Sequence, residues 1–305
     1  METPDPSAVL RALAERLAAS YAAANRPRAV LLVGSAAAGG ADRYSDLDLL
    51  VYHDCVPPGE AVAKTPRALR AERYRGTPHS DESGEPDDRS YGERYSLDGV
   101  ECQVGHMSVG AVERQIARLV DDRELDEELL KIMSGLFEGL PLLGEELIEE
   151  WRQKAAFTEE LQRATIAKRW KFFPWWYFEE RLAARDATAW RYEVLAQSVY
   201  AIVGVLAGLN RLYFSTFEFK RAGTFVSRLD VAPANLARRL DSLFELDERA
   251  ATAELERLVA ETRDLVAARL PDVDLELTWG GVPTPPGERE RPWTPRQESP
   301  ASPEG

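Results

Sequence analysis

The chain has 305 residues, and its 44% hydrophobic content is sufficient to fill the core of one large domain or two ordinary ones. Its formal net charge of −14 repels a phosphate backbone, which argues against a nucleic-acid substrate. Cys55 and Cys102 are its only cysteines, and they form no CxxC motif. Zinc sites and disulfide scaffolds are therefore disfavoured, and the composition favours a reducing, cytoplasmic compartment.

Membrane association is also disfavoured. The first ten residues, METPDPSAVL, lack the positive region and apolar run of a signal peptide. The most apolar stretch, residues 194–209, is short and contains Gln197 and Ser198. We expect it to form a buried helix.

The beginning of the chain predicts an amphipathic helix and two strands. Asp5 before Pro6 is typical of a helix start, and apolar residues recur at helical spacing as far as Asn25. Residues 28–33 (RAVLLV) form a short apolar run before a glycine, which predicts a buried strand. Residues 47–52 alternate around an aspartate and predict a second strand.

A third strand is predicted at residues 100–107 (VECQVGHM), beside the second. Residues 76–93 are polar and rich in turn-forming types, which predicts a mobile loop, with an active-site flap as the alternative. From about Ser108 to about Leu270 the apolar period becomes helical. Its clearest helical segments are 111–120, 159–185, 192–209 and 250–268.

These patterns predict an α/β (α+β) fold in three parts. Residues 1–108 should form a catalytic domain on a small mixed sheet, and residues 109–275 an all-α helical domain. Residues 276–305, rich in Pro, Gly, Glu and Ser, should form a disordered tail, because this composition buries too little apolar surface to fold.

Residues 31–53 (LLVGSAAAGGADRYSDLDLLVYH) carry the chemical signal. Side chains two apart on a strand face the same way, so Asp46 and Asp48 should project together while Leu47 and Leu49 enter the core. Two carboxylates held side by side need a cation. Mg²⁺ is the natural candidate, since it accepts a few carboxylates and fills its remaining positions with water and phosphate oxygens.

The segment before the carboxylate pair is suited to a phosphate group. Gly34 permits close approach of the backbone, and Ser35 adds a hydroxyl donor. Free N–H groups at the start of a following helix favour an anion. Triphosphate and metal are therefore expected at one edge of the sheet.

The pattern of two apolar residues, Gly-Ser, a gap of about ten residues and Asp-x-Asp resembles the nucleotidyltransferase superfamily. This superfamily includes DNA polymerase beta, the aminoglycoside nucleotidyltransferases and the minimal nucleotidyltransferases. The resemblance covers residues 28–108 closely. It implies a third carboxylate on a neighbouring strand, for which Glu101 is the candidate. Gln103 shares a face with Glu101 and takes that position if the alignment shifts by two residues, in which case catalysis is in doubt because an amide is no general base.

The resemblance further implies in-line attack on the α-phosphorus of ATP or another nucleoside triphosphate, with Mg²⁺ held by Asp46, Asp48 and Glu101. Glu101 would also take the acceptor proton. Arg43 and Lys220 are candidates for contacting the triphosphate. The aromatic run FFPWWYF, residues 172–178, forms either a stacking wall or part of the core.

The predicted function is Mg²⁺-dependent transfer of a nucleotide, AMP in the first instance, to a hydroxyl of a small molecule; an antibiotic-like acceptor is one case. Two alternatives remain open. One is a nucleotidyltransferase that modifies a protein or a tRNA, as in toxin–antitoxin pairs, although the acidic charge weighs against tRNA. The other is a nucleotide-binding or partner-binding module that has lost catalysis. His53 and His106 end their strands, where they either border the site or serve the structure.

Overall fold

A computed structural model describes residues 5–80, 89–173, 177–178, 182, 185–275, 278–279 and 282–283. Its central feature is a mixed sheet of six strands in the order β3-β4-β5-β2-β1-β6. Strands β2 and β5 are parallel, and the other neighbouring pairs are antiparallel. The strands are β1 Ala29–Val33, β2 Leu47–His53, β3 Glu72–Ser80, β4 Arg89–Leu97, β5 Val100–Ser108 and β6 Leu140–Leu143.

Helices cover both faces of this sheet and continue beyond it. In the part that precedes and flanks the sheet they are α1 Pro6–Asn25, α2 Gly34–Ala37, α3 Gly59–Val62, α4 Lys64–Ala68, α5 Val109–Val120, α6 Glu127–Glu138, α7 Glu145–Lys154 and α8 Glu159–Arg169. In the remainder they are α9 Thr188–Leu209, a 3₁₀ helix Thr216–Arg221, α10 Ala222–Val226, α11 Leu236–Ser242 and α12 Glu248–Arg269. The predicted mixed α/β fold with a following helical part is confirmed.

The first helix forms as its sequence predicts. Asp5 accepts a hydrogen bond from the backbone N–H of Ser7 at 3.1 Å, and Pro6 occupies the first helical position. Leu17 and Tyr21 are fully buried against one face of the sheet. Because Leu47 and Leu49 of β2 point into this same core, the aspartates between and beside them face the opposite side.

The opposite face of the sheet packs against α5, α6 and α7, with Leu31, Met133 and Trp151 in that core. A third core lies within the helical part, around the buried helix α9, and it includes Ile166, Leu206 and Leu258. Strand β6 belongs to this sheet but lies after residue 108 in the chain, so the sheet includes residues beyond the predicted domain boundary.

The prediction of a loop over residues 76–93 is wrong for its described ends, which belong to strands β3 and β4. Residues 81–88, between these strands, lie outside the described part of the chain. The polar composition misled because β3 is an exposed edge strand, and edge strands tolerate polar side chains on both faces. In β4, Glu93, Tyr95 and Leu97 alternate inward, a period of two.

The predicted helix over residues 159–185 is too long. Helix α8 ends at Arg169, with Trp170 as its non-helical C-cap. The helix ends there because Phe172 and Phe173 continue in irregular backbone ahead of Pro174, and a proline disfavours helix in the residue before it.

Helix α9 is the one described helix that is long and apolar enough to cross a membrane, and 72% of its most apolar window is buried inside the protein. A buried core helix meets the same criteria of length and composition. Its burial agrees with the expectation of a core helix. The predicted disordered tail falls mainly outside the described residues, apart from two short paired strands, β7 Thr278–Trp279 and β8 Val282–Pro283.

Candidate active site

Two carboxylates lie at the start of β2, as the sequence predicts. Asp46 directly precedes this strand and Asp48 is its second residue. Burial first, and the neighbouring Asp46 carboxylate second, raise the pKa of Asp48 from 3.8 to about 6. The two charges therefore repel each other in a partly desolvated place, and a cation bound between them relieves that repulsion.

Gly34 closes one side of the carboxylate pair. It follows β1, whose Val33 is the register partner of Asp48, and it has a positive φ of 72°. A Cβ at this position would lie 2.7 Å from Asp48 Oδ2. Glycine is therefore required here for two reasons: the positive φ of the backbone and the closeness of the Asp48 carboxylate. Ser35 lies next in the chain, in the short helix α2.

The strand register brings Gln103, rather than Glu101, opposite the second aspartate. Asp48 pairs with Gln103 between the parallel strands β2 and β5. The Gln103 Nε2 donates a hydrogen bond of 2.6 Å to Asp46 Oδ2. An amide thus occupies the place beside the carboxylates.

Glu101 lies two residues earlier on β5 and forms an ion pair with an arginine. Its Oε1 is 3.3 Å from Arg94 Nε, and both side chains are more than half exposed. Among the described residues, no group of three or more His, Cys, Asp and Glu side chains is arranged to hold a metal. The roles predicted for Glu101 as metal ligand and base stay predictions, and this geometry does not favour them.

Asp46 and Asp48 alone still fit one Mg²⁺ ion. The ion commonly binds one or two protein carboxylates and completes its octahedron with water and substrate phosphates. The pKa of Asp48, raised by its burial and then by the Asp46 charge, is the local sign of this fit. Gln103 adds no charge, and in this arrangement its Nε2 orients Asp46.

Two lysines face the carboxylates from different parts of the chain. Lys131 of α6 and Lys220 of the 3₁₀ helix both lower the pKa of Asp48 through their charge. Their ammonium groups lie 4.0 Å and 5.6 Å from the ring centroid of Phe217. Lys220 is thus near enough to act on Asp48 through its charge, and its predicted contact with a triphosphate stays a prediction. Lys131 was missed, because within the sequence it reads as the exposed position of an amphipathic helix.

The loop between β1 and β2 is held on both sides. Arg11 of α1 donates hydrogen bonds of 2.9 Å to the carbonyl oxygens of Ala36 and Ala37. Arg221 of the 3₁₀ helix forms an ion pair of 3.1 Å with Asp42. These contacts fix the turn that carries the Gly-Ser segment relative to the helical part.

Arg43 lies on the outer side of this loop. Its guanidinium is 4.6 Å from the ring centroid of Tyr44 and donates a hydrogen bond to the Tyr44 hydroxyl at 2.5 Å. Both residues are exposed. The predicted contact between Arg43 and a triphosphate stays a prediction.

The two strand-end histidines belong to a buried polar network. His53 Nε2 lies 3.0 Å from His106 Nδ1, and His106 Nε2 lies 2.9 Å from Glu93 Oε2. Burial, followed by the neighbouring His106, lowers the pKa of His53 to about 4. Tyr21 of α1 donates a 2.5 Å hydrogen bond to the same Glu93 oxygen. These contacts favour the structural interpretation of both histidines.

The described aromatic residues of the 172–178 run pack inward. Phe172 and Phe178 are buried in the helical core, and Phe173 packs against it. Residues 174–176 lie outside the described part of the chain. For the described rings, core packing is therefore favoured over a stacking wall.

Residues 10–98 match the family model described as a nucleotidyltransferase domain. This segment contains the Gly-Ser turn, both aspartates and the strands that carry them. Residues 10–98 are a nucleotidyltransferase domain. The predicted superfamily and enzyme class are thereby confirmed for this part of the chain. No curated protein matches the sequence.

Several solved structures are also similar to this chain. A nucleotidyltransferase-like protein from Exiguobacterium sibiricum is 13% identical over 86% of this chain and 80% of that one, with a TM-score of 0.31. The Cid1 poly(U) polymerase is 20% identical over 45% of this chain and 41% of that chain, with a TM-score of 0.26. A cytoplasmic RNA terminal U-transferase is 22% identical over 44% and 40%, with a TM-score of 0.26. The chain thus spans about two fifths of the length of the two RNA-acting transferases.

Proposed function

We propose that this chain transfers a nucleoside monophosphate from a nucleoside triphosphate, ATP in the first instance, to a small-molecule acceptor with the help of Mg²⁺. The observation that carries the proposal is the pair Asp46 and Asp48, where burial and then the Asp46 charge raise the pKa of Asp48 to about 6. Two lysines face the same pair from α6 and from the 3₁₀ helix. A divalent cation and a polyanionic ligand together complement this set of charges.

The chain's own residues bind and orient in this reaction. Asp46 and Asp48 hold the cation, and Gln103 fixes Asp46 through its 2.6 Å hydrogen bond. Gly34, which has no side chain, leaves room for the Asp48 carboxylate at the site, and Lys131 and Lys220 attract the triphosphate. Bound Mg²⁺ supplies neutralisation of the phosphate oxygens as charge develops. The acceptor oxygen bonds to the α-phosphorus while pyrophosphate leaves.

The first test removes the metal-binding charges. We expect Asp46→Asn with Asp48→Asn to abolish Mg²⁺-dependent transfer and to leave the fold intact, because it removes two like charges that repel each other. The measurement is transfer from α-labelled ATP, GTP, CTP and UTP to a panel of aminoglycosides, lincosamides and cell extract, with circular dichroism for the fold.

The matched control is Asp54→Asn with Asp98→Asn. These aspartates are exposed and pair with Arg28 and Arg16. This double variant makes the same change of charge away from the site and should keep full transfer. Transfer that survives in the Asp46 and Asp48 variant would place the reaction elsewhere. Labelled protein or RNA from the extract would favour the alternative in which the acceptor is a macromolecule.

A second candidate is a nucleotide-binding module that does not turn over. The observation in its favour is Gln103, which stands where a third carboxylate is expected and accepts no proton as a base. Triphosphate binding without transfer to any acceptor in the panel would decide for this candidate.

A further inference from the structure

One row of side chains crosses the exposed face of the sheet and passes through the site. Asp48 of β2 pairs with Gln103 of β5, which pairs with Arg94 of β4, which pairs with Arg75 of β3. Register partners on neighbouring strands lie on the same face of a sheet. The row therefore runs from a carboxylate through an amide to two guanidinium groups, at strand spacings of about 4.8 Å.

The amide in this row leaves the acceptor side without a general base. Gln103 has its Nε2 committed to Asp46 Oδ2, and its amide oxygen accepts no proton at ordinary pH. Glu101, two residues earlier on the same face of β5, lies 3.3 Å from Arg94 in an ion pair and is more than half exposed. The carboxylates beside Gln103 are Asp46 and Asp48, which the proposed function assigns to the cation, so neither is free to remove the proton of a hydroxyl acceptor.

The two arginines of the row provide positive charge, which suits an anionic acceptor rather than a hydroxyl. Arg94 forms an ion pair with Glu101. The charge of Arg94 also lowers the pKa of Asp48. Arg75 is exposed, and no hydrogen bond or ion pair joins it to another described side chain. Guanidinium groups match the geometry of phosphate oxygens and bind them by paired hydrogen bonds. In a protein of net charge −14, Arg94 and Arg75 form the cationic end of this row beside the transfer site.

We propose that the acceptor is a small phosphate monoester bound by Arg75 and Arg94. An oxygen of its phosphate dianion, which carries no proton, attacks the α-phosphorus of the nucleoside triphosphate. A new P–O bond forms, the bond from the α-phosphorus to the bridging oxygen breaks, and pyrophosphate leaves with the electron pair. The product is a phosphoanhydride, and no base is needed. The inference rests on the proposed function and narrows its acceptor.

The test uses matched acceptors that differ only in the phosphate group. The full chain is incubated with Mg²⁺ and α-labelled triphosphates, and with glucose 1-phosphate against glucose, glycerol 3-phosphate against glycerol, and inorganic phosphate alone. We expect transfer to the phosphorylated members, giving products that a pyrophosphatase cleaves. Acetate provides a separate arm, because transfer to a carboxylate would show that any oxyanion suffices and would overturn the restriction to phosphate.

Two arginine variants test the subsite. Arg75→Gln and Arg94→Gln should each raise the KM for the phosphate acceptor by about tenfold or more, with an unchanged KM for the triphosphate, because each removes one charge-assisted contact. Arg67→Gln is the control. Arg67 is an exposed arginine of α4 that pairs with Glu60 and faces the Tyr74 ring, and the same loss of charge there should change neither KM.

Gln103→Glu provides the reverse test. A carboxylate at this position should make glycerol or glucose a better acceptor and should weaken phosphate binding. The uncharged Gln103→Met should cause neither change. Circular dichroism checks that both variants fold.

Calorimetric titration of glucose 1-phosphate, in the presence of a non-hydrolysable triphosphate, gives a readout independent of turnover. Binding that Arg75→Gln weakens supports the subsite. Absent binding, or equal binding in the arginine variants, overturns it. Transfer to unphosphorylated hydroxyls by the unaltered protein overturns the inference and keeps the proposed function. Absence of transfer to every acceptor overturns the proposed function and, with it, the acceptor role of the phosphate.

Discussion

Gly34 directly follows β1 and lies beside Asp48 of the neighbouring strand β2. Gly34→Ala adds a Cβ 2.7 Å from Asp48 Oδ2 and a side chain at a φ of 72°. We expect it to displace the carboxylate and to weaken Mg²⁺-dependent ATP binding about tenfold or more, with about 1 kcal/mol lost from the free energy of unfolding. Calorimetric titration and urea unfolding measure the two effects.

Gly99 provides the control for backbone strain. It has a φ of 81° in the turn between β4 and β5, and nothing lies within 4 Å of a Cβ placed there. Gly99→Ala should cost a similar free energy of unfolding and leave ATP binding unchanged. If both variants bind ATP equally well, the contact between Gly34 and Asp48 does not shape the site.

The raised pKa of Asp48 predicts a pH-dependent stability. Because the folded protein binds this proton more tightly than the unfolded chain does, the contribution to stability is present at low pH and is lost as pH rises through about 6. Asp48→Asn should therefore raise the free energy of unfolding at pH 8 by up to about 3 kcal/mol, with no gain below the unfolded pKa of 3.8. Urea unfolding without divalent cations, from pH 3.5 to 8, checks this.

The exposed Asp54→Asn is the comparison at each pH. It removes one partner of a surface ion pair with Arg28 and should change the free energy of unfolding by under about 1 kcal/mol throughout. A gain in Asp48→Asn that is equally large at pH 3.5 and pH 8 would contradict the assigned titration. Added Mg²⁺ should reverse the order at pH 8, because the ion binds only the protein with both carboxylates.

At the residue scale, the sequence predicted the aspartates and the glycine but left the third position open. Local alternation places Asp46 and Asp48 on one face, since that depends on two residues of spacing alone. Whether Glu101 or Gln103 stands beside them depends on the register between β2 and β5, which are more than forty residues apart in the chain. Lys131 was missed for the same reason, because its approach to Asp48 depends on how α6 packs on the sheet.

At the scale of elements, the edge strands were the hardest to predict. Strand β3 is exposed and polar, and β6 is a four-residue strand containing Pro141. Neither carries the alternating apolar pattern that reveals β2. Helix α1, in contrast, has both a capping aspartate and a regular apolar stripe, and its predicted bounds agree with the structure.

Helix α1 is attached to strand β4 by buried hydrogen bonds of the Tyr21 hydroxyl to Glu93 and to Tyr95, which make a testable contact between elements. Tyr21 donates to Glu93 Oε2 at 2.5 Å, and Glu93 Oε1 has no hydrogen-bond partner among the described residues. Tyr21→Phe removes this donor from a buried carboxylate, so we expect a loss of about 1–3 kcal/mol in the free energy of unfolding. Urea unfolding measures it.

Tyr44→Phe is the matched control for the loss of a hydroxyl. Tyr44 is 80% exposed, so this change should alter the free energy of unfolding by less than about 0.5 kcal/mol. Equal losses in the two variants would show that the buried network adds nothing to the attachment of α1.

At the scale of the whole molecule, the composition and the helical period predicted a sheet followed by helices. They did not predict where the two parts divide. Strand β6 returns to the sheet after residue 139, and the core of the helical part begins with Ile166 of α8. This boundary could not be predicted because β6 pairs with β1 through backbone hydrogen bonds, and no local pattern of side chains indicates that pairing.

The site joins these two parts, because Lys131 and Lys220 approach Asp48 from different cores. A bound triphosphate that contacts both lysines should therefore order both parts together. In hydrogen exchange, we expect Mg²⁺ and ATP to slow exchange in residues 34–45 and in the 3₁₀ helix. In Lys220→Gln, the slowing should persist in residues 34–45 and disappear from the 3₁₀ helix, and ATP should bind about tenfold more weakly.

Lys171→Gln makes the same change of charge at an exposed lysine of the helical part and should retain protection in both segments. Full protection of the 3₁₀ helix in Lys220→Gln would show that this lysine does not contact the nucleotide. The coupling would then have to come from the ion pair of Arg221 with Asp42, which joins the same two segments without a ligand. Arg221→Gln separates these cases, because it removes the direct link while leaving both lysines in place. Protection that depends on Lys220 and survives in Arg221→Gln is the pattern that a triphosphate bridging the two parts requires.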